Sequence, residues 1–420
     1  MTFSILQRIS QVFCMNTNIK VKTKNSELFE LLKATTKWNK ARIKCLLAIV
    51  NSMIKLQTVS YVKLAQGFEG SAEHDSNLRR IQRFFACFVF DPLIFTRLIF
   101  SLLPTEPPYR LSMDRTNWQF GNTDINILML SVCYKGVSIP LVWKLLPKRG
   151  NSNAKERSDI LNIYINYFGT ASIKAFMADR EFIGEDWFED IIRQKIPFYI
   201  RIRNNMKLRR GGKEFKAFWL FNNLQVGSYR HCEGLYYLGK NLVYLSGVKT
   251  FNQVEGKYDF TIIASYNKQD QALINYKERW QIETMFKAMK SSGFNLETTH
   301  LTDLERISKL LAVVSIAFVW AYLAGIDKHE NIKPIKIKKH GRKAYSFFKY
   351  GLIRLASAFN NVQNNRDLES CIKILSYTLI NYKFLSHFFS GAVNICFSRV
   401  KTYVILSIWG SVLYNTINCS

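Results

Sequence analysis

YRLSMDRTNWQFGNTDINILMLSVCYKGVSIPLVWKLL, residues 109–146, decides the fold class. In YRLSMD, Leu111 and Met113 alternate with Ser112 and Asp114, the period of a short strand that ends on Asp114. INILMLSVCY (125–134) and VSIPLVWKLL (137–146) are two further strand-like runs, and Tyr-Lys-Gly between them is a turn. Downstream, 154–168 reads as a helix, IKAFMAD (173–179) as a fourth strand, 185–195 as a helix and PFYIRIR (197–203) as a fifth strand.

Three strands, helix, strand, helix, strand is the order of an RNase H-like core, an α/β layer with acidic residues gathered at strand ends. Residues 206–257 interrupt it. They are rich in Gly, Tyr and Lys/Arg, carry runs such as LVYLSGV (242–248), and read as a β-rich insertion. YDFTIIAS (258–265) is another strand, followed by one long helix over about 268–290 that SSG (291–293) stops.

Upstream, residues 1–105 read as helical, with helices at 41–56, 60–69 and 76–88 and N-caps at Ser60 and at Asp75 or Ser76. Arg79, Arg80 and Arg83 on the last of these suit a helical DNA-binding domain, and suit the solvated face of an ordinary bundle nearly as well. Pro104, Pro107 and Pro108 then mark a boundary. The expected division is 1–105, a helical DNA-binding domain; 106–330, the catalytic domain with its insertion at 206–257; and 331–420, a C-terminal helical region. That region opens on a basic loop, KPIKIKKHGRK (333–343), and ends in an atypical tail from about 386.

The balance of 59 Lys+Arg against 31 Asp+Glu gives a net charge of +28, which calls for a polyanionic partner, either nucleic acid or an anionic membrane surface. A hydrophobic share of 48% supports a sizeable core. LLAVVSIAFVWAYLAGI (310–326) is at the lower length limit for a membrane span and reads as a buried core helix, covered partly by a polar helix at 302–309 and otherwise by the sheet. The first residues carry Arg8 and an alternating apolar pattern but no continuous apolar core and no small-residue cleavage site, so a secretory signal is not expected. The eight cysteines form no CxxC pair, which excludes the common zinc and redox motifs and suits reduced, mostly buried thiols.

YKERWQIETMFKAMK (276–290) carries the densest chemistry. At about 100° per residue, Tyr276, Arg279, Glu283 and Lys290 fall within roughly 60° of one another, beside an apolar face of Ile282, Phe286 and Met289. A solvated helix face collects such residues too. Asp114 and Asp179, each expected to close a strand, add two carboxylates; in an RNase H-like core the first and fourth strands are neighbours, so the two meet. A helix-borne glutamate beside them completes a hard-oxygen pocket of the type Mg²⁺ prefers.

MDRTNW, MADREF and Y-x2-R-x3-E-x6-K together resemble the DDE transposases of bacterial insertion sequences, and more narrowly the cut-and-paste family with the Y-R-E-K signature. The resemblance covers roughly 60–350, and RKAYSFFKYGLIRL (342–355) is similar to the family's C-terminal segment. It implies that Asp114, Asp179 and Glu283 are catalytic and hold two Mg²⁺ ions, with Mn²⁺ able to substitute. It implies that Tyr276, Arg279 and Lys290 grip phosphates near the cut. Trp280 would pack on the terminal nucleotide, or simply wedge the helix against the insertion. A base-flipping aromatic is expected in the insertion, with Trp219, Tyr236 and Tyr237 as unranked candidates.

The implied partners are double-stranded DNA, both the terminal inverted repeats and the target, and a second copy of the chain in the DNA complex. The implied location is the bacterial cytoplasm, at the nucleoid and away from membranes. The rival readings are a catalytically inactive DNA-binding remnant and a membrane-associated basic protein. The tail beyond about 386 lies past the family pattern and is expected to be dispensable for cleavage.

Overall fold

The computed structural model describes residues 29–30, 32–33, 36, 38–88, 92–267, 271–361 and 366–375. The N-terminal segment with Arg8, the cysteines at 14, 396 and 419, the first positions expected of the 268–290 helix and the tail from 386 lie outside the described residues.

Helices α1 (Lys40–Leu56), α2 (Tyr61–Gln66), α3 (His74–Cys87) and α4 (Pro92–Ser101) precede the sheet. Asn39 caps α1 by accepting the Arg42 N–H, and Ser60 stands at the N-cap of α2. The cap of α3 is Glu73, so Asp75 and Ser76 are not caps; they lie inside the first turn, where an acid favours the helix dipole. Arg79, Arg80 and Arg83 are exposed on α3, and Arg80 lies over the Phe68 ring.

The sheet has eleven strands among the described residues. Strands β1 (Tyr109–Phe120), β2 (Thr123–Tyr134) and β3 (Val137–Leu145) form an antiparallel meander. After helix α5 (Ala154–Phe168), β4 (Ile173–Ala178) returns parallel to β1. After α6 (Glu185–Arg193), β5 (Phe198–Ile202) adds parallel to β4. The order β3-β2-β1-β4-β5 makes a mixed α/β layer consistent with an RNase H-like core. Strand β1 is longer than expected and runs six residues past Asp114 because the whole Leu111–Phe120 stretch pairs with β2. Asp114 therefore does not close its strand. It stands where the parallel pairing of β1 with β4 stops, one residue beyond the Met113–Ala178 pair.

The 206–257 segment supplies β6 (Lys207–Arg210), β7 (Lys213–Lys216), β8 (Tyr229–His231), β9 (Tyr236–Leu238) and β10 (Asn241–Asn252). These strands do not stand apart from the core. Strand β10 pairs along most of its length with β11 (Lys257–Ser265), which pairs with β5, so one sheet runs through both.

The expected long helix over 268–290 is two: α7 (Ala272–Lys277) and α8 (Trp280–Lys290). At the joint, the N–H groups of Glu278 and Arg279 bond the carbonyls three residues back, a tightened turn that leaves both residues helical in backbone angle. The apolar stretch 310–326 lies in one continuous helix, α9 (Leu304–Asp327), rather than behind a separate one at 302–309, and its side chains are almost all buried. Among the described residues one helix, this one, is long and apolar enough to cross a membrane, and 94% of its most apolar 18 residues are buried within the fold. Its cover comes mainly from α10 (Phe347–Asn360) and α1, and to a lesser extent from β3. Gly325 and Gly351 let α9 and α10 touch backbone to backbone, since a Cβ at either would overlap the opposing chain. Cys45, Cys133, Cys232 and Cys371 are buried and Cys87 is exposed, all as free thiols.

Candidate active site

The site forms where the β1–β4 seam ends and α8 crosses it. Ile282, Met285, Phe286 and Met289 bury one face of α8, and the helix packs on β1, β2 and β3. That docking turns Arg279 and Glu283 toward Asp114. The Arg279 guanidinium donates through Nη1 to Asp114 Oδ2 at 3.1 Å and through Nη2 to Glu283 Oε1 at 2.7 Å. Its Nε donates to the Tyr276 hydroxyl at 3.1 Å, and that hydroxyl donates to Asp179 Oδ1 at 3.1 Å. Asp114, Asp179 and Glu283 thus converge on one arginine–tyrosine pair. Lys290, two turns further along α8, is not part of this chain of bonds. It reaches the Asn117 carbonyl at 3.2 Å, pairs with Glu297 at 2.5 Å and lies over Trp118. Trp280 is 64% exposed.

Arg115, Glu181 and Arg157 brace the aspartates, and the spacing of the sequence motifs does not single them out. Arg115 forks onto both carboxylate oxygens of Glu181 at 3.1 Å and donates to Asn126 at 2.9 Å, so the residue after Asp114 and the glutamate two after Asp179 tie β1 to the loop after β4. Arg157 on α5 is 3% exposed and holds that loop from below. It donates to the carbonyls of Glu181 at 2.9 Å and Ile183 at 3.2 Å, to Ser152 Oγ at 2.9 Å and to the Ser152 carbonyl, with its guanidinium over the Phe182 ring. Burial pulls its pKa down to about 10, and it stays charged. The signal in the sequence is an arginine on the expected inward face of a helix, which usually needs a buried acceptor set.

Burial pushes the Asp114 carboxyl up to about 7 against the pull of Arg279 and of the Arg115 N–H; Glu181 and Asp179 add to the rise. Burial also works against the Arg279 charge, yet Tyr276, Asp114, Asp179 and Glu283 hold its pKa above the ordinary arginine value. The site is thus an acid cluster in which Arg279 is the counter-cation of Asp114 and Glu283, and Arg115 that of Glu181. Among the described residues, no three acidic, His or Cys side chains stand close enough to chelate an ion as they are, because Arg279 bridges Asp114 and Glu283. The donor set is nonetheless all carboxylate oxygen, and the mutual repulsion of Asp114, Asp179 and Glu181 is what a divalent cation relieves. Such a donor set is of the kind a hard divalent cation takes.

Asp114, Arg115, Thr116 and Glu283 line a groove of about 490 Å³ that continues past Phe286, Lys287 and Lys290 to Glu297. Of the three aromatics singled out within 206–257, Trp219 and Tyr237 are exposed, whereas Tyr236 is buried and its hydroxyl accepts from Arg210.

Residues 113–320, about half of the chain, match the family model described as "Transposase DDE domain". No curated protein matches. Among solved structures, Kluyveromyces polysporus Argonaute with a guide RNA aligns at 11% identity and a TM-score of 0.21, over 71% of this chain and 40% of that one. This chain spans less than half of that relative's length, and the likeness is too low to bear on function. The matched segment takes in MDRTNW, MADREF and the whole Y-R-E-K stretch, and on that match the chain belongs to the DDE transposases.

Proposed function

We propose that this transposase cuts DNA at the ends of an insertion sequence and joins those ends to target DNA, using Asp114, Asp179 and Glu283 as its catalytic acids. The observation that carries this reading is the bond chain from Asp179 through Tyr276 and Arg279 to Asp114 and Glu283, at the head of a groove whose other end bears Lys287 and Lys290. The three acids would hold the metal, two Mg²⁺ ions with Mn²⁺ able to substitute. When bound, the metal supplies Lewis-acid stabilisation of the charge that develops on the phosphoryl oxygens.

Arg279 has a second use. Displaced from the acids, its planar fork suits a phosphate bidentately, and Tyr276 lies beside it as a hydroxyl donor. Lys290 suits the next phosphate as a point charge. Trp280, exposed at the start of α8, offers a face on which a terminal base stacks, and Trp219 or Tyr237 would receive a flipped base in a hairpin step. Arg79, Arg80 and Arg83 give the N-terminal helices a cationic face for the inverted repeat. Assembly as a homodimer on two ends, at the nucleoid in the cytoplasm, completes the reading.

The test is a nicking assay on duplex DNA from the flank of the coding region, with and without Mg²⁺. Nicking that needs Mg²⁺ and vanishes in Asp179→Asn is expected. Nicking that persists in Asp179→Asn contradicts the assignment, and DNA binding with no nicking by the parent favours the inactive remnant.

A further inference from the structure

Between α9 and α10 the chain makes a turn whose charges are all positive. From Asn331 to Arg366 there is no Asp or Glu, while Lys333, Lys336, Lys338, Lys339, Arg342 and Lys343 fall within 333–343. The segment is an ordered small hairpin. Ile337 bridges Lys343 antiparallel, and three backbone bonds of 2.8 Å close it: Lys338 N–H to the Arg342 carbonyl, Gly341 N–H to the Lys338 carbonyl, and Ala344 N–H to the Lys336 carbonyl. Gly341 supplies the left-handed turn at φ +77°. Buried Ile335 anchors its base, its N–H donating to His329.

Lys336, Lys338, Lys339 and Arg342 are exposed, and none forms an ion pair among the described residues. Some exposed cations elsewhere are paired with acids, as in Arg149–Asp124 and Lys207–Glu214. Aromatic rings are interleaved with the charge: Lys343 lies over Phe347, Lys328 over Tyr350, and exposed Tyr345 stacks on Tyr350.

The hairpin is tied to the site helix. It leads into Ser346, the N-cap of α10, and Phe348 in the first turn packs against Phe294 and under Gly293. Those two residues follow the end of α8, where Lys287 and Lys290 line the groove.

We propose that the 336–344 hairpin grips the sugar–phosphate backbone of duplex DNA lying along that end of the groove. The choice of DNA as the polyanion rests on the transposase reading. The grip is electrostatic and backbone-directed, because lysines on a short turn neutralise phosphates without reading base edges.

The test uses the full chain in EDTA, so that binding is measured apart from cleavage. The triple variant Lys336→Gln, Lys338→Gln, Lys339→Gln is compared with a charge-matched control, Lys155→Gln, Lys174→Gln, Lys195→Gln. Both are titrated against a duplex from the element's end, an unrelated duplex of equal length, and phosphatidylglycerol vesicles across a salt series. The hairpin triple should flatten the plot of log K against log salt by about 0.9 for each phosphate it no longer neutralises, and weaken low-salt binding roughly tenfold or more. The control should match the parent. Equal weakening on both duplexes supports a general backbone grip, and weakening on the end duplex alone supports a grip on the terminal arm.

An unchanged slope in the hairpin triple, an equal change in the control, or an effect confined to vesicles overturns the proposal. If the triple variant misfolds, Arg342→Gln alone decides: a slope flatter by about 0.9 supports the grip, and the parent's slope overturns it. Failed nicking with intact hairpin-dependent binding breaks the transposase reading and leaves the hairpin proposal standing; active nicking with an unchanged salt slope does the reverse.

Discussion

Asp114 and Asp179 and the glutamate opposite them are supported in different ways. The aspartates stand at the end of a parallel strand pair, with the Arg115–Glu181 fork across the seam and buried Arg157 under the loop that bears Asp179. Glu283 rides on α8, its side chain about a third exposed, and is held by a bond to Arg279. The strand side is preorganised by backbone pairing and buried donors, so it loses little freedom when a ligand arrives. The helix side is adjustable, because releasing one guanidinium frees both Glu283 and Asp114. The difference suggests a division of labour in which the seam fixes a position and the helix completes the site.

Loss of an acid, on the seam as on the helix, should cost the most activity. Asp114→Asn keeps shape but removes a charge that a divalent ion needs, and should lower nicking by at least about a thousandfold, measured by gel assay at saturating Mg²⁺. A drop of less than tenfold would remove Asp114 from the acid set. Arg157→Met tests the support rather than the chemistry. It strands the carbonyls of Glu181, Ile183 and buried Ser152, and should destabilise the fold by about 3 kcal/mol in urea unfolding while also slowing nicking. Recovery of stability by Arg157→Lys without recovery of nicking would show that the loop needs the fork geometry; unchanged stability in Arg157→Met would contradict the bracing role.

Outside the three acids, the expected effects on the helix side are smaller. Arg279→Ala should slow cutting by about a hundredfold yet leave it Mg²⁺-dependent, and should make DNA binding less salt-sensitive. Loss of Mg²⁺ dependence would place Arg279 in a different role. Trp280→Ala, at an exposed position, should change stability by no more than about 0.5 kcal/mol, with its effect confined to later strand-transfer steps. A larger stability loss would show that Trp280 is a packing wedge after all.

The seam is the more legible half in sequence. Alternation in YRLSMD reveals β1, and the continuous apolar runs at 125–134, 137–146 and 173–179 reveal β2, β3 and β4, strands that are almost wholly buried. Where β1 ends is not legible: polar residues after Asp114 make it look terminal, yet backbone pairing with β2 carries the strand to Phe120. The spacing of Tyr276, Arg279 and Glu283 survives the break between α7 and α8 because the joint keeps helical backbone angles. Lys290 shares their face by the same spacing but finds its partners at Asn117 and Glu297. The bracing by Arg115, Glu181 and Arg157 depends on bonds between separate elements, which periodicity does not encode. The sheet covers α9 only in part, and the larger share taken by α10 through the close Gly325–Gly351 approach is illegible for the same reason.

Glu283→Gln is the most direct test of the central claim that the adjustable helix completes a metal-dependent site. It preserves size and hydrogen bonding to Arg279 and removes one charge. Gel-shift titration and Mg²⁺-dependent nicking would be measured on the same end-DNA duplex. The expected result is binding equal to the parent or slightly tighter, because a negative charge near phosphate is gone, together with loss of nicking. Nicking by Glu283→Gln at a rate near the parent's would show that the glutamate holds no metal and that the role given to α8 is wrong.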